Sequence, residues 1–118
     1  MSSLANLAVG LVALLHAYFL FLEMFFWDKP LGLRIFGMTP DFAKATKALA
    51  ANQGLYNGFL AAGLIWGLML DAAGGPVKIF CLCCIVVAGT YGGCTVNPRI
   101  LWVQAVPALV ALALVAFA

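Results

Sequence analysis

The chain has 118 residues, of which 66% are hydrophobic and 8% are charged. A soluble domain is about 45–50% apolar and about 25% charged, and a small one leaves a large share of its surface in contact with solvent. This composition excludes a soluble enzyme and a disordered tail. It also excludes a nucleic-acid-binding protein, because the six Lys and Arg residues are scattered. The sequence therefore predicts an integral membrane protein whose apolar side chains contact lipid.

Four apolar stretches reach, or nearly reach, the roughly 20 residues that a membrane-spanning helix needs. We expect helices over about residues 4–27, 40–70, 77–94 and 99–117. The breaks between them contain residues that end helices or favour turns, such as Pro30, the run from Asp71 to Pro76, and Asn97-Pro98. The predicted fold class is all-α: a polytopic four-transmembrane-helix bundle that forms a single domain over residues 1–118.

The start of the second helix has a capping sequence. Thr39 is a favourable N-cap residue, Pro40 suits the first helical position, and Asp41 suits the first turn. The apolar segment from Leu31 to Met38 is too short to span a bilayer, and we expect it to rest in the interface.

Basic residues are distributed unevenly between the two sides of the predicted bundle. The side opposite the long first loop has only Lys78, whereas the first and third loops carry Lys29, Arg34, Lys44, Lys47 and Arg99. Lys and Arg are enriched in cytoplasmic loops. We therefore expect the long first loop in the cytoplasm and both termini outside.

Polar side chains that recur at one depth are the most informative feature of the sequence, because such residues are costly in a bilayer and are usually functional. A helix rises about 1.5 Å per residue, which places polar residues from all four helices in the cytoplasmic third of the membrane. His16 lies on the same helical face as Glu23, about 10 Å deeper. We expect a ligand-binding cluster formed by His16, Glu23, Asn52, Gln53, Tyr56, Asn57, Tyr91 and Gln104.

A second interpretation of this cluster stays open. Asn, Gln, Tyr and His side chains also hydrogen-bond between transmembrane helices, where each bond contributes about 0.6 kcal/mol on average. Glu23 is then either protonated or paired with a basic residue near the interface. The sequence does not decide between a structural and a functional role.

Pairs of glycines predict close approach of helices, because small residues at Gly-x-x-x-Gly spacing let backbones meet. They do not distinguish contacts within one chain from contacts between copies. The pairs are Gly54 with Gly58, Gly63 with Gly67, and Gly89 with Gly93.

Cys81 and Cys84 form a Cys-x-x-Cys sequence on the third predicted helix. A free Cys behaves as a small hydrophobic residue, and helical geometry disfavours a disulfide at this spacing. We expect no redox centre, no metal site and no cofactor.

The run Asn52-Gln53-Gly54-Leu55-Tyr56-Asn57-Gly58 resembles the Asn-Gln-Gly-x-Tyr-Asn-Gly signature of a bacterial family of small four-helix membrane proteins known as a domain of unknown function. Leu22-Glu23-Met24-Phe25, Phe36-Gly37-Met38 and the run from Tyr91 to Thr95 resemble its other motifs, as does Gln104 with Pro107. The resemblance implies a bacterial inner-membrane protein, and it implies no activity. Its motif positions here are Glu23, Asn52, Gln53, Gly54, Tyr56, Asn57, Gly58 and Gln104.

Three functions stay open for a protein of this kind. We favour binding or permeation of a small polar, ionic or lipid-like ligand at the polar cluster, in a homo-oligomer, because one bundle of four helices is too thin for a wide aqueous path. A membrane-embedded enzyme on a lipophilic substrate is the first alternative, with Glu23 as general acid or base. An accessory membrane subunit that packs through its glycine pairs is the second. No catalytic residue, ligand identity or nucleic-acid partner is assigned.

Overall fold

The chain is helical along almost its whole length. A computed structural model describes residues 3–117. Within that range the α-helices are α1 (Ser3–Phe25), α2 (Pro30–Phe36), α3 (Pro40–Met69), α4 (Gly75–Thr95) and α5 (Val106–Ala116). A 3₁₀ turn over Asp71–Gly74 precedes α4, and a π-helical turn over Leu101–Ala105 leads into α5. The all-α class is confirmed, whereas the sequence prediction lacks α2 and the π turn.

The short helix α2 begins and ends at residues suited to these positions. Pro30 lies in its first turn, where a missing N–H leaves no hydrogen bond unmade. Gly37 follows its last residue with a φ of 61°, a left-handed conformation that glycine adopts without a Cβ penalty. The Gly37 N–H donates to the carbonyl of Leu33. These two residues stop α2 from merging with α1 or α3.

The predicted cap of α3 is confirmed. The Phe42 N–H donates to Thr39 Oγ1 at 3.2 Å, which satisfies one of the free donors at the start of the helix. Pro40 is the first residue of α3, and Asp41 lies in its first turn. From there α3 runs for 30 residues.

The π turn before α5 coincides with a proline. Val106 donates its N–H to the carbonyl of Leu101, five residues earlier. Pro107 has no N–H to donate, and its ring disfavours a normal helical approach to the carbonyl four residues before it. The wider π spacing accommodates this defect, and such single turns often occur at functional sites. Gln104 lies inside the turn.

The contacts of the chain fall into two units. Unit 1 comprises Met1–Ala13 and Ala62–Ala118. Within it, α4 packs against both α5 and the π turn. Side chains with little or no exposure form its core, including Leu64, Leu82, Ile85, Ala108 and Ala111.

Unit 2 comprises Leu14–Ala61, and it therefore contains the second half of α1, all of α2 and the first two thirds of α3. Its buried apolar side chains include Leu22, Ala43 and Ala50. Two polar side chains, His16 and Asn57, are also buried in this unit.

Two segments among residues 3–117 are long and apolar enough to cross a membrane: Ser3–Phe25 and Asp71–Thr95. The segment Leu101–Ala116 is apolar but shorter. Large apolar side chains stand on the outer surfaces of these helices, for example Leu14, Phe80 and Leu109. Exposed apolar surface of this extent is typical of a membrane or protein contact.

Candidate functional site

A carboxyl and an amide from two helices meet in unit 2. Asn57 Nδ2 on α3 donates a hydrogen bond of 2.5 Å to Glu23 Oε1 on α1. Asn57 is 6% exposed, and Glu23 is half-buried. A buried amide has to find a hydrogen-bond partner, because leaving it unpaired costs about 1–3 kcal/mol. The pair therefore joins α1 to α3 at a defined rotation of each helix.

Two glycines of α3 let Glu23 come close enough to reach Asn57. A Cβ added at Gly54 would lie 2.7 Å from Met24 Cγ and 3.2 Å from Glu23 Cβ. A Cβ at Gly58 would lie 2.5 Å from Leu20 Cδ1. This glycine pair thus contacts α1 of the same chain.

The other predicted glycines also contact residues of their own unit. In unit 1, a Cβ at Gly63 would meet Cys81 Sγ at 2.6 Å, and one at Gly67 would meet Lys78 Cγ at 2.7 Å. A Cβ at Gly89 would meet the Ala105 backbone N at 2.7 Å, and one at Gly93 would run into the side chain of Leu101. Each of the six glycines therefore has a close neighbour in its own chain.

Glu23 is only partly buried. In the part of the chain that the structure describes, every buried side-chain N and O atom outside the exposed residues has a hydrogen-bond partner. Asn57 is the side chain that hydrogen-bonds to Glu23 there, and it uses Oε1. Part of the Glu23 residue remains open to a ligand.

The remaining predicted residues of unit 2 point in different directions. His16 is fully buried, with its ring edge-on to Phe19 at a centroid distance of 5.2 Å. Asn52, Gln53 and Tyr56 are exposed on α3. Of the five polar residues of α1 and α3 predicted to lie with Glu23, Asn57 hydrogen-bonds to it.

Tyr91 and Gln104 belong to unit 1. Tyr91 is 71% exposed near the end of α4, and its backbone carbonyl accepts a hydrogen bond from Thr95 Oγ1 at 2.7 Å. Gln104 is half-buried in the π turn. The turn itself lies against Gly89 through Ala105.

Two side-chain contacts join the segment that follows α1 to α3, and neither was predicted from the sequence. Trp27 Nε1 donates to Thr46 Oγ1 at 3.0 Å. Lys47 Nζ lies 3.1 Å from Asp28 Oδ2. Each contact joins residues 19 positions apart, and the opposite charges of Asp28 and Lys47 were the available signal. The hydrogen bond from Lys47 holds the pKa of Asp28 below its ordinary 3.8.

Removing this ion pair has an expected signature. Lys47→Ala should raise the pKa of Asp28 toward 3.8, since the main cause of its lowering is lost. A lowered pKa means that the pair stabilises the folded chain above the ordinary pKa and that this contribution disappears as the pH falls through the lowered one. Infrared titration of ¹³C-labelled Asp carboxyls, with Asp28→Asn to assign the signal, measures the change. Lys44→Ala, also exposed on α3, should leave the Asp28 titration unchanged, and an equal shift in both variants would contradict the assignment.

Lys78 is the most deeply buried charged residue of the described chain. It lies in the first turn of α4 with 1% exposure, and its Nζ donates to Asn6 Oδ1 at 3.2 Å. The absent side chain of Gly67 leaves room for the Lys78 stem. From the sequence, this lysine was counted only as a charge on the side opposite the long first loop, near the start of the helix predicted over residues 77–94, and its burial was not predicted.

A shallow surface depression of about 390 Å³ lies on α4, lined by Phe80, Cys83, Cys84, Val87 and Ala88. Its lining includes none of the predicted polar residues. Across residues 3–117, no group of three or more His, Cys, Asp or Glu side chains is arranged to hold a metal ion.

Comparison with known proteins gives a family and a bacterial relative. The family model described as "Protein of unknown function (DUF1304)" matches residues 10–116. The uncharacterized protein YpaA of Lactococcus lactis subsp. lactis (strain IL1403) is 32% identical over 104 residues, which cover 86% of this chain and 87% of YpaA. No solved structure matches the chain.

Proposed function

The chain belongs to the DUF1304 family of proteins of unknown function, and from its own site we propose that it is a four-helix membrane protein that binds or conducts a small polar ligand at Glu23 and Asn57. The observation that carries the proposal is the Asn57–Glu23 hydrogen bond between two helices whose outer surfaces are apolar. We further propose that the protein resides in the bacterial inner membrane with the loop before α3 in the cytoplasm.

The distribution of apolar side chains supports insertion into a bilayer. Leu11 and Leu14 on α1 and Phe80 and Val87 on α4 are all more than half exposed. Exposure of this surface to water costs about 25 cal/mol for each Å² of apolar area. Exposure to lipid tails does not carry this cost. We place α1, α3, α4 and the helical segment ending in α5 across the membrane.

An ionisable side chain in such a helix is expensive unless it has a role. Glu23 lies in the last turn of α1, and its partner Asn57 lies well inside α3. A purely structural contact between these helices needs no carboxyl, because a neutral amide pair would supply the same hydrogen bond without burying an ionisable group. This comparison favours a ligand for Glu23.

The carboxyl group of Glu23 defines what that ligand must offer. A carboxylate oxygen accepts hydrogen bonds and attracts positive charge. A ligand with N–H or O–H donors, or a cation, therefore fits this group. The side chain that contacts Glu23 is an amide, which does not ionise near neutral pH and therefore does not act as a proton donor or acceptor for the carboxyl, so we favour binding over general acid–base catalysis.

Native mass spectrometry of the protein released directly from membranes tests the proposal. We expect the wild-type protein to carry a bound small molecule that Glu23→Gln lacks. Asp71→Asn is the matched control, because it makes the same carboxyl-to-amide change at an exposed position with a φ of 53°, which Asn tolerates.

The outcomes separate a binding role from a structural one. Loss of the bound mass in Glu23→Gln, with the helical circular dichroism signal and thermal midpoint of the wild type, supports the site. Equal bound mass in Glu23→Gln and the wild type would contradict it. A bare protein in all three samples would favour the accessory-subunit alternative.

A further inference from the structure

One face of α3 repeats with the spacing of a helix–helix seam. Ala45, Leu49, Asn52, Tyr56 and Phe59 follow one another at intervals of four, three, four and three residues, and all five are exposed. This 3.5-residue repeat keeps side chains on one line along a helix that pairs with another helix. Tyr56 and Phe59 contact each other edge-on, with ring centroids 5.8 Å apart. We call these five residues the α3 stripe.

Asn52 is a polar residue on a surface that we place against lipid. It is the thirteenth residue of a helix of 30 residues, five residues after Lys47, and within residues 3–117 its side chain makes no hydrogen bond. Where water is absent, a polar group without a partner costs several kcal/mol. This step rests on the proposed function, in that α3 has to span the membrane. In that setting the amide needs a partner that the chain itself does not supply.

We propose that the α3 stripe is the interface with the same stripe of a second copy, in a parallel pair whose two Asn52 side chains hydrogen-bond to each other. An Asn side chain carries both a donor and an acceptor, so two identical amides related by a two-fold axis complement each other. An axis along the membrane normal brings residue 52 of each copy to the same depth, as an isologous interface requires. A lone Asn at such a position also fixes the register of paired helices.

The other residues of α3 are consistent with a second copy as the partner of the α3 stripe. The stripe itself contains no charged residue, and Asp41, which precedes it by four residues on the same line, lies in the first turn of α3. Lys44 and Lys47 lie off the stripe by helical phase. The glycines Gly54 and Gly58 are already in contact with α1, so they are not available to a second copy. Lipid tails could cover the apolar members of the stripe, but they offer nothing to the Asn52 amide.

Cysteine cross-linking in native membranes tests the geometry with Asn52 intact. In a background with Cys81, Cys83, Cys84 and Cys94 replaced, single cysteines are placed on the stripe by Leu49→Cys or Phe59→Cys. Gln53→Cys and Leu55→Cys are the controls, since both positions are exposed at a similar depth but lie to either side of the stripe. We expect disulfide-linked dimers from the stripe positions at several times the yield of the controls. Equal yields at all four positions would overturn the proposal.

The native chain provides a second test that needs no cysteine replacement. We expect wild-type protein in lipid nanodiscs or mild micelles to have the mass of two chains. Asn52→Ala should weaken dimerisation about tenfold, which is about 1.4 kcal/mol, as expected for two interhelical hydrogen bonds. Gln53→Ala should leave it unchanged. A single-chain mass for the wild type, or equal effects of the two variants, would overturn the pairing.

Failure of the pairing and failure of the membrane proposal give different results. If alkaline carbonate releases the wild-type chain from membranes, the premise of a lipid-facing α3 is wrong and both proposals fall. If the chain stays in the membrane and has the mass of one copy, only the pairing is wrong. A stable complex with a different protein along α3 would also overturn it, because the partner would not be a second copy.

Discussion

Gly89→Ala is expected to lower the free energy of unfolding by about 1–3 kcal/mol, the usual cost of inserting a group into a filled core. A Cβ at this position would lie 2.7 Å from the Ala105 backbone N and 3.0 Å from its Cα. Backbone atoms cannot rotate away as the end of a flexible side chain can. The strain falls on the contact between α4 and the π turn, so the turn must shift or α4 must move away from it. Thermal unfolding in detergent, followed by helical circular dichroism, measures the loss.

Gly10→Ala is the matched control for this prediction. Gly10 is also a helical glycine, but a Cβ there would meet no atom within 4 Å. Alanine is the better helix former by about 1 kcal/mol, so this variant should be as stable as the wild type or more so. If both variants lose the same stability, the loss reflects glycine removal in general rather than contact with Ala105.

The long helices were predictable because their signals are local. An apolar stretch of sufficient length, bounded by Pro, Gly or Asn, predicts a helix without knowledge of what it packs against. Thr39 was recognisable as a cap for the same reason, since the residues that it serves follow directly in the sequence. The end of α1 at Phe25 rather than near Trp27 depends instead on a tertiary contact, because Trp27 turns its indole N–H to Thr46.

The sequence contains signals for α2 and for the π turn, but hydrophobic composition does not reveal them. Pro30 and Gly37 bracket α2 in the order that favours a helix start and a helix end. Pro107 marks a missing N–H inside an apolar run, which a scan for spanning segments ignores. Both features concern single backbone hydrogen bonds, and mean hydropathy carries no information about these.

The sequence predicted the depth of the candidate-site residues in the membrane but not the side of the helix on which each residue lies. Tyr56 and Asn57 lie at nearly the same height along α3, with Asn52 about one turn earlier, yet one residue of rotation turns Asn57 about 100° away from Tyr56. The structure buries Asn57 and exposes the other two. The neighbouring Gly54 and Gly58 indicate the inward face, because a helix approaches its neighbour along its small residues. Helical phase relative to the glycines was therefore the signal that depth alone omitted.

Removing either partner of the Glu23–Asn57 hydrogen bond is the other change with a large expected effect. Glu23→Ala leaves the buried Asn57 amide without its partner, and Asn57→Ala removes the donor, so each should cost about 1–3 kcal/mol of folding free energy. The double variant should cost less than the two added together, by about 0.5–3 kcal/mol, because the second substitution removes a group already unpaired. Unfolding of all four proteins in the same mixed micelles gives this coupling free energy.

The same cycle with Gln53→Ala in place of Asn57→Ala provides the control, since Gln53 is exposed four residues earlier on α3. Its effect should add to that of Glu23→Ala without coupling. If the Gln53 cycle shows the larger coupling, the carboxyl of Glu23 turns toward the outer face of α3 in the membrane. The ligand site would then lie on the same side of the helix as Asn52.

If only the Asn57 cycle is coupled, the Oε1 atom of Glu23 is held by Asn57 within unit 2. The carboxyl group is then an acceptor in a fixed position, which a binding site needs in order to select a ligand by the position of a single donor.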